Sequence, residues 1–378
     1  MSPLQIEIQL IAAVTAAACA LPGVFLVLRR MAMMSDAISH TVLLGIVIGF
    51  FLVEDLASPA LVLGAAVTGV LTVSLVALVE RTKLVKEDAA IGLVFPALFS
   101  LAVILISRYA GNVHLDVDMV LLGELAFAPF DRMEISGVDI GPRGLYVMGG
   151  ILLINLLFIG LFYKELKLTT FDTGLAAALG FLPGLVHYAL MGLVSVTVVG
   201  AFDIAGSVLV VALIVAPPVI AYLLTDRLPV MLGLSALIGA AGAIAGYWLA
   251  HLLDASIAGS IAAVLGGLFG LTYLFAPQRG VVAAVQRRKR QREEFAIIML
   301  AGHLLNHEGH QNQELENRLE HLGEHLRWSP EWARSVVNRA QSNGLIRLQN
   351  GGLYLTPEGK RAALERLRAG EQAQPAGF

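Results

Sequence analysis

The chain has 378 residues, of which 57% are hydrophobic and 15% are charged. Soluble domains carry about 25% charged residues, so this composition excludes a single soluble core and indicates that lipid surrounds much of the chain. Ionisable residues are sparse before residue 277 and dense from residue 286 onward. We therefore predict a membrane domain followed by a soluble C-terminal part. Cys19 is the single cysteine, so the chain forms no internal disulfide.

Nine apolar stretches approach the ~20 residues that a membrane span requires. The sixth and seventh are almost continuous and break around Gly200–Gly206, which leaves open a re-entrant half-helix followed by one span. The expected membrane fold is all-α and polytopic, with nine spans, plus or minus one. A shorter segment, 111–129, is interpreted as a helix that dips in from the outer face. The predicted spans are 8–28, 37–53, 58–79, 89–107, 144–163, 184–202, 204–224, 230–252 and 257–275.

Lys and Arg follow every second predicted span, and such basic connections lie in the cytoplasm. The N-terminus is then outside and the C-terminus inside. The basic residues that set this orientation are Arg29, Arg30, Arg81, Lys83, Lys86, Lys164, Lys167, Arg227 and Arg279, with the basic run 287–292.

Asp36 and His40 stand four residues apart at the start of the second span, so a helix places them on one face. A carboxylate within a bilayer costs at least ~2.5–3.5 kcal/mol, so Asp36 should face a cavity or a partner. A carboxylate oxygen and an imidazole nitrogen suit Mn, Fe or Zn ions. The alternative is that Asp36 caps the helix near the membrane surface and His40 only packs.

Two further segments are candidates for a functional role. His114, Asp116 and Asp118, on the outer segment, form either an acidic entry vestibule or a solvated surface. On the cytoplasmic side, a short helix capped by Asp172 and ending at Gly180 could receive force from a soluble motor, or could simply connect two spans. The residues of this segment are Phe171, Asp172, Thr173, Gly174, Leu175, Ala176, Ala177, Ala178, Leu179 and Gly180.

The C-terminal part begins with a basic linker, 281–293, and continues as a small α+β domain, 294–370. We predict helices at 294–307, 311–326 and 329–343, then two strands joined at Asn350-Gly351, a strong hairpin signal. This order is typical of a winged helix, and the tail 371–378 is predicted to be disordered. Five histidines could bind a regulatory metal or could be solvated: His303, His307, His310, His321 and His325.

Several ordered motifs over residues 5–277 together resemble the permease family of ABC importers for manganese, zinc and iron. The run 24–31, followed by Ser35-Asp-Ala-Ile-Ser-His40, is similar to the exit of the family's first span and the start of its second. The remaining matching motifs are 90–95, 115–123, 164–180 and 206–217.

The resemblance implies that residues 1–280 are a transmembrane permease domain in a bacterial cytoplasmic (inner) membrane, with Asp36 and His40 as the intramembrane metal-coordinating pair. It implies as partners a cytoplasmic ABC ATPase dimer, a second permease copy or a paralogue, an extracytoplasmic metal-binding lipoprotein, and membrane lipid. Segment 171–180 would be the coupling helix. The chain itself would not be an enzyme and would hold no tight cofactor, because ATP binds the partner and the metal is transported.

The C-terminal domain more loosely resembles the DNA-binding half of diphtheria-toxin-repressor-like metalloregulators, over 326–347 and 353–361. Its predicted recognition helix offers only Arg334 and Arg339, whereas phosphate contacts need a basic face. We therefore expect a regulatory or dimerising domain and no nucleic-acid partner. Two other functions remain open from sequence: a secondary metal transporter driven by an ion gradient, and a membrane-tethered metal-responsive regulator.

Overall fold

The computed structural model describes residues 2–54, 58–109, 125–135, 138–309, 317–319, 322, 326–349 and 351–372. The chain divides after Gly280 into two compact units.

Helices dominate the first unit because a backbone in lipid must satisfy its N–H and C=O groups within the segment. Within the described residues, eight helices are long and apolar enough to cross a membrane, and α6 and α7 are too short. The helices are α1 (Pro3–Leu28), α2 (Ala32–Val53), α3 (Pro59–Arg81), α4 (Glu87–Tyr109), α5 (Arg143–Leu161), α6 (Tyr163–Phe171), α7 (Thr173–Ala178), α8 (Pro183–Leu224), α9 (Leu228–Leu253) and α10 (Ile257–Phe275).

Helix α8 has 42 residues and is interrupted at Gly206, whose φ of 72° and ψ of 163° are not helical. A straight helix of this length would measure about 63 Å, twice the ~30 Å of a hydrocarbon core. Its first residues and its second half both lie near the second half of α1. Pro183 and Leu28 line one cavity, and a Cβ added at Gly23 would overlap the Ile214 carbonyl.

The middle of α8 lies instead near the first turns of α1. A Cβ at Gly144 would lie 3.1 Å from the Ile204 side chain and 3.9 Å from that of Ile11. The chain therefore reverses at Gly206, and α8 supplies two crossings. The all-α polytopic fold with about nine spans is confirmed, and the predicted break falls at Gly206.

The core of this unit forms around α1, which packs against α5, α8 and α9. Glycines allow close approach between several helix pairs. A Cβ at Gly45 of α2 would overlap the carbonyl oxygen of Gly64 on α3, and one at Gly246 of α9 would overlap the Ile261 backbone on α10. Close backbone approach at small residues is how membrane helices associate.

A two-stranded hairpin precedes α5. Strands β1 (Arg132–Ile135) and β2 (Val138–Pro142) are antiparallel. Arg132 pairs with Asp139 across the hairpin and, at 3.3 Å, with Glu7 of α1. The hairpin is thereby held at the N-terminal end of α1.

The second unit contains α11 (Val281–Asn306), α12 (Pro330–Ser342), an antiparallel pair β3 (Ile346–Gln349) and β4 (Gly352–Leu355), and α13 (Pro357–Gln372). Its buried core includes Leu300, Leu322, Val336 and Leu353. The predicted linker 281–293 and the predicted first helix form one continuous helix, α11. Residues 371–372 of the predicted tail belong to α13, while 373–378 and most of the predicted helix 311–326 lie outside the described residues.

The contact between α2 and α3 yields a prediction. We expect Gly45→Ala to lower the free energy of unfolding by about 1–3 kcal/mol, because the added methyl group meets backbone that cannot move independently. Gly149→Ala on α5 is the control, since a Cβ there has no neighbour within 4 Å. Thermal unfolding of the purified variants in detergent measures both effects, and equal midpoints would contradict the close packing.

Candidate functional site

Asp36 and His40 lie on one face of α2, near its first turns. His40 Nε2 is 3.5 Å from Asp36 Oδ1. The His40 side chain is 26% exposed and that of Asp36 is 35% exposed, so both are reachable from outside the packed chain. Along the helix axis they stand about 6 and 12 Å from the first residue of α2.

Asp36 does not cap α2. The N-cap residue is Met31, and no side chain caps this helix end. The neighbouring serines are buried, and their hydroxyls donate to helix carbonyls: Ser35 to Ala32 at 2.7 Å and Ser39 to Asp36 at 2.7 Å. The carboxylate and the imidazole are thus the groups of this motif that remain able to bind a ligand.

Two aromatic rings of α4 surround the imidazole. The ring centroid of His40 is 5.3 Å from that of Phe95 and 6.0 Å from that of Phe99. These two rings place one side of the His40 imidazole in an apolar environment and restrict the orientation of its ring. Sequence reasoning missed both, although their i, i+4 spacing on α4 was an available signal.

The pair is not a complete metal site by itself. Among the residues that the structure describes, no three His, Cys, Asp or Glu side chains are grouped closely enough to hold a metal ion. The predicted vestibule residues His114, Asp116 and Asp118 lie outside the described residues.

Within segment 171–180, Thr173–Ala178 form the short helix α7, which begins after the predicted cap Asp172 and ends two residues before Gly180, while Phe171 is the last residue of α6. Asp172 Oδ1 accepts a hydrogen bond from the Leu175 N–H at 2.8 Å, which caps the helix. At the other end, Gly180 has a φ of +86°, a conformation that favours glycine, and Phe181 N–H donates to the Ala176 carbonyl at 3.1 Å.

A row of exposed apolar side chains marks this segment. Ala176 is fully buried against the first unit, whereas Phe171, Leu175, Leu179 and Leu182 are between 48% and 66% exposed. Several large exposed apolar groups within so short a segment are a candidate interaction surface.

One contact near this segment was not predicted. Arg29, just after α1, donates to Thr169 Oγ1 at 2.9 Å and to Thr170 Oγ1 at 3.1 Å on α6. The end of α1 is thereby joined to the helix that leads into α7. No local sequence signal pairs residues about 140 positions apart.

The predicted regulatory histidines are only partly described. His303 and His307 lie one turn apart on α11, with ring centroids 4.6 Å apart. His310, His321 and His325 lie outside the described residues, so the structure brings together two of the five.

The cap of α7 can be tested directly. We expect Asp172→Ala to accelerate amide hydrogen exchange in 173–178 about fivefold, because losing an N-cap costs ~1 kcal/mol. Asp172→Asn should leave exchange unchanged, since asparagine caps equally well. Identical exchange in all three proteins would show that the cap does not stabilise α7.

Comparison with known proteins supports a common family for this arrangement. The model of the ABC 3 transport family matches residues 3–276. The zinc transport system membrane protein TroD of Treponema pallidum is 48% identical over 361 residues, covering 96% of this chain and 98% of the relative. The manganese transport system membrane protein MntD of Bacillus subtilis is 48% identical over 278 residues, covering 74% of this chain and 94% of the relative.

A solved structure agrees with the fold. PsaBC from Streptococcus pneumoniae in complex with Fab superposes with a TM-score of 0.62 and 28% identity, over 74% of this chain and 94% of that chain. The family resemblance stated from the motifs is therefore confirmed. The named relatives are membrane components of transport systems, so this chain is a non-catalytic permease and the ATPase is a separate subunit. The chain belongs to the ABC 3 transport family.

Proposed function

We propose that the chain is the permease subunit of an ATP-driven importer for a divalent transition-metal ion, manganese or zinc, with iron as the third ion that its ligands suit. The observation that carries this proposal is the pairing of Asp36 with His40 on one accessible face of α2. TroD and MntD are named for zinc and manganese transport, and both ions accept a carboxylate oxygen with an imidazole nitrogen.

The energetics favour a functional role for this pair. An acid inside a membrane domain costs several kcal/mol unless it has a partner or faces water. Because Asp36 is neither a helix cap nor bound to an arginine or lysine in the described residues, a passing dication is the partner that offsets the cost. The remaining ligands come from water or from a second permease copy or paralogue across the pathway.

Active transport needs an energy source, and α7 offers a surface through which an ATPase could contact the permease. The exposed apolar side chains of Phe171, Leu175 and Leu179, on α7 and beside its two ends, would dock in a cleft of a cytoplasmic ABC ATPase dimer, while the buried Ala176 anchors the helix to the permease. An extracytoplasmic metal-binding lipoprotein would deliver the ion at the opposite end.

The orientation follows from the charges. Arg29, α6 and α7 share one end of the bundle, and this end carries the basic connections. By the positive-inside rule it faces the cytoplasm of a bacterial inner membrane. The C-terminus is then cytoplasmic and the N-terminus outside.

The transport proposal predicts the behaviour of two variants. We expect Asp36→Ala and His40→Ala each to reduce accumulation of radioactive manganese or zinc more than about tenfold, since removing even an outer-shell partner costs 10–100-fold in metal affinity. Uptake is measured in cells that express the permease with its ATPase. Copurification of the ATPase should be unchanged.

Asp88→Ala is the matched control, because Asp88 is an exposed acid at the start of α4 and lies outside the pair. Retained uptake in both the Asp36 and His40 variants would remove them as ligands. Uptake that continues without the ATPase, and follows an ion gradient, would favour the secondary transporter instead.

For the second unit we propose a cytoplasmic regulatory or dimerising domain of winged-helix type. The alignment with MntD covers 94% of that protein within 278 residues, so a permease can be nearly complete without this unit. Two of its arginines are engaged internally: Arg339 pairs with Glu293 at 2.7 Å, and Arg292 lies over the Trp332 ring at 4.7 Å. This engagement disfavours nucleic acid as the ligand.

Metal sensing by this unit has its own test. In full-length protein carrying Asp36→Ala and His40→Ala, we expect calorimetry to retain one zinc or manganese site. Adding His303→Ala and His307→Ala should weaken that site at least about tenfold, because two imidazole ligands are lost. If the pathway-deficient protein binds no metal at micromolar concentrations, the unit is not a sensor.

A further inference from the structure

A basic cavity of about 480 Å³ lies in the first unit, where the end of α1 meets α6, α7 and the start of α8. Its polar lining consists of two arginines, three threonines and one histidine, and no Asp or Glu is among its lining residues. These residues are Arg29, Arg30, Thr169, Thr170, Thr173 and His187. The proposed metal pair, Asp36 and His40, is not among them.

Arg29 is held in place without a counter-ion. Its guanidinium donates to the neutral hydroxyls of Thr169 and Thr170, and no carboxylate of the described residues lies within 4 Å of Arg29 or Arg30. Partial burial lowers the pKa of Arg29, which means that burial opposes its charge. A group that burial disfavours and no acid compensates is stabilised by a bound anion.

The backbone that carries Arg29 and Arg30 is already ordered at the end of α1. Arg30 has a φ of 64°, and the helix end is closed by the Arg30 N–H bonded to the Val27 carbonyl at 3.1 Å and the Met31 N–H bonded to the Leu26 carbonyl at 2.8 Å. This helix end fixes the backbone of Arg29 and Arg30. Less conformational entropy is therefore lost when both side chains bind one ligand than if they lay on a flexible loop.

The chemistry of the lining selects a phosphate group. A guanidinium offers planar donors that match two phosphate oxygens. The Thr169 hydroxyl already donates to the Glu165 carbonyl at 2.8 Å, so Thr170 and Thr173 are the threonines that can donate to a third oxygen. A halide or a single carboxylate would leave most of these donors unused. We propose that the cavity binds a phosphate group, carried either by an anionic lipid headgroup or by free phosphate, and that this group bridges the end of α1 to the helices α6 and α7.

The test uses the full-length permease with its ATPase in phosphatidylcholine nanodiscs. One arm titrates radioactive inorganic phosphate, and the other adds phosphatidylglycerol and counts retained lipid by native mass spectrometry. We expect saturable binding in one arm, weakened about tenfold or more in Arg29→Gln, because hydrogen bonds to a charged group are the strong ones. Lys167→Gln is the matched control, since it removes an exposed cation of α6 that does not line the cavity.

The two arms separate the sources. Binding of inorganic phosphate in phosphatidylcholine alone identifies a free anion, whereas retention that needs phosphatidylglycerol identifies a lipid headgroup. Arg30→Gln removes the exposed second arginine and leaves the bonds from Arg29 to the threonines intact, so it gives the same comparison if Arg29→Gln does not fold. The proposal is overturned if neither arm shows binding, or if binding is equal in wild type and both arginine variants.

Discussion

The cost of placing a charge in hydrocarbon organises the first unit. Each ionisable side chain inside a span costs several kcal/mol unless it finds a partner or water, and accordingly the ionisable residues of this unit concentrate at helix ends and connections. Asp36 departs from this pattern by standing inside α2, with its carboxylate beside the His40 imidazole. The serines of the same motif donate their hydroxyl protons to carbonyls of the helix, so the carboxylate and the imidazole remain available for a ligand.

Close helix packing makes such a site possible. In lipid, the hydrophobic effect does not drive helices together, so their association depends on van der Waals packing and on small residues that let the backbones approach closely. Gly45 and Gly64 let α2 and α3 touch through their backbones, and Gly206 lets α8 reverse beside α1. Glycine is required at position 206 because its φ of 72° is costly for other residues. Helix α2 thereby rests on α3 and α4, with Phe95 of α4 directly against His40.

Hydropathy alone located most of the spans, since a span is a local property of about twenty residues. The predicted first span began at residue 8 and ended at the residue where α1 ends, and the interruption near Gly206 was predicted from the break in the apolar run around Gly200–Gly206. The contacts of the site were not predictable in this way. Phe95 against His40 and Arg29 against Thr169 join distant segments, and such pairs depend on tertiary packing. The helix through 281–293 was missed because a basic run was interpreted only by its charge.

The two regions with proposed roles, the Asp36–His40 pair on α2 and the helix α7, are connected by a short structural route. Arg29 and Asp36 are separated by seven positions, and between them the chain turns from α1 into α2. Arg29 holds Thr169 and Thr170 on α6, and α6 leads through Asp172 directly into α7. Two side-chain hydrogen bonds and a helix end thus connect α7 with the beginning of α2, and a displacement of α7 would reach α2 by this short route. Packed helices shift as bodies by small sliding movements, so a movement of the α1–α2 corner would also reorient the face of α2 that carries Asp36 and His40, the pair proposed to line the ion's path.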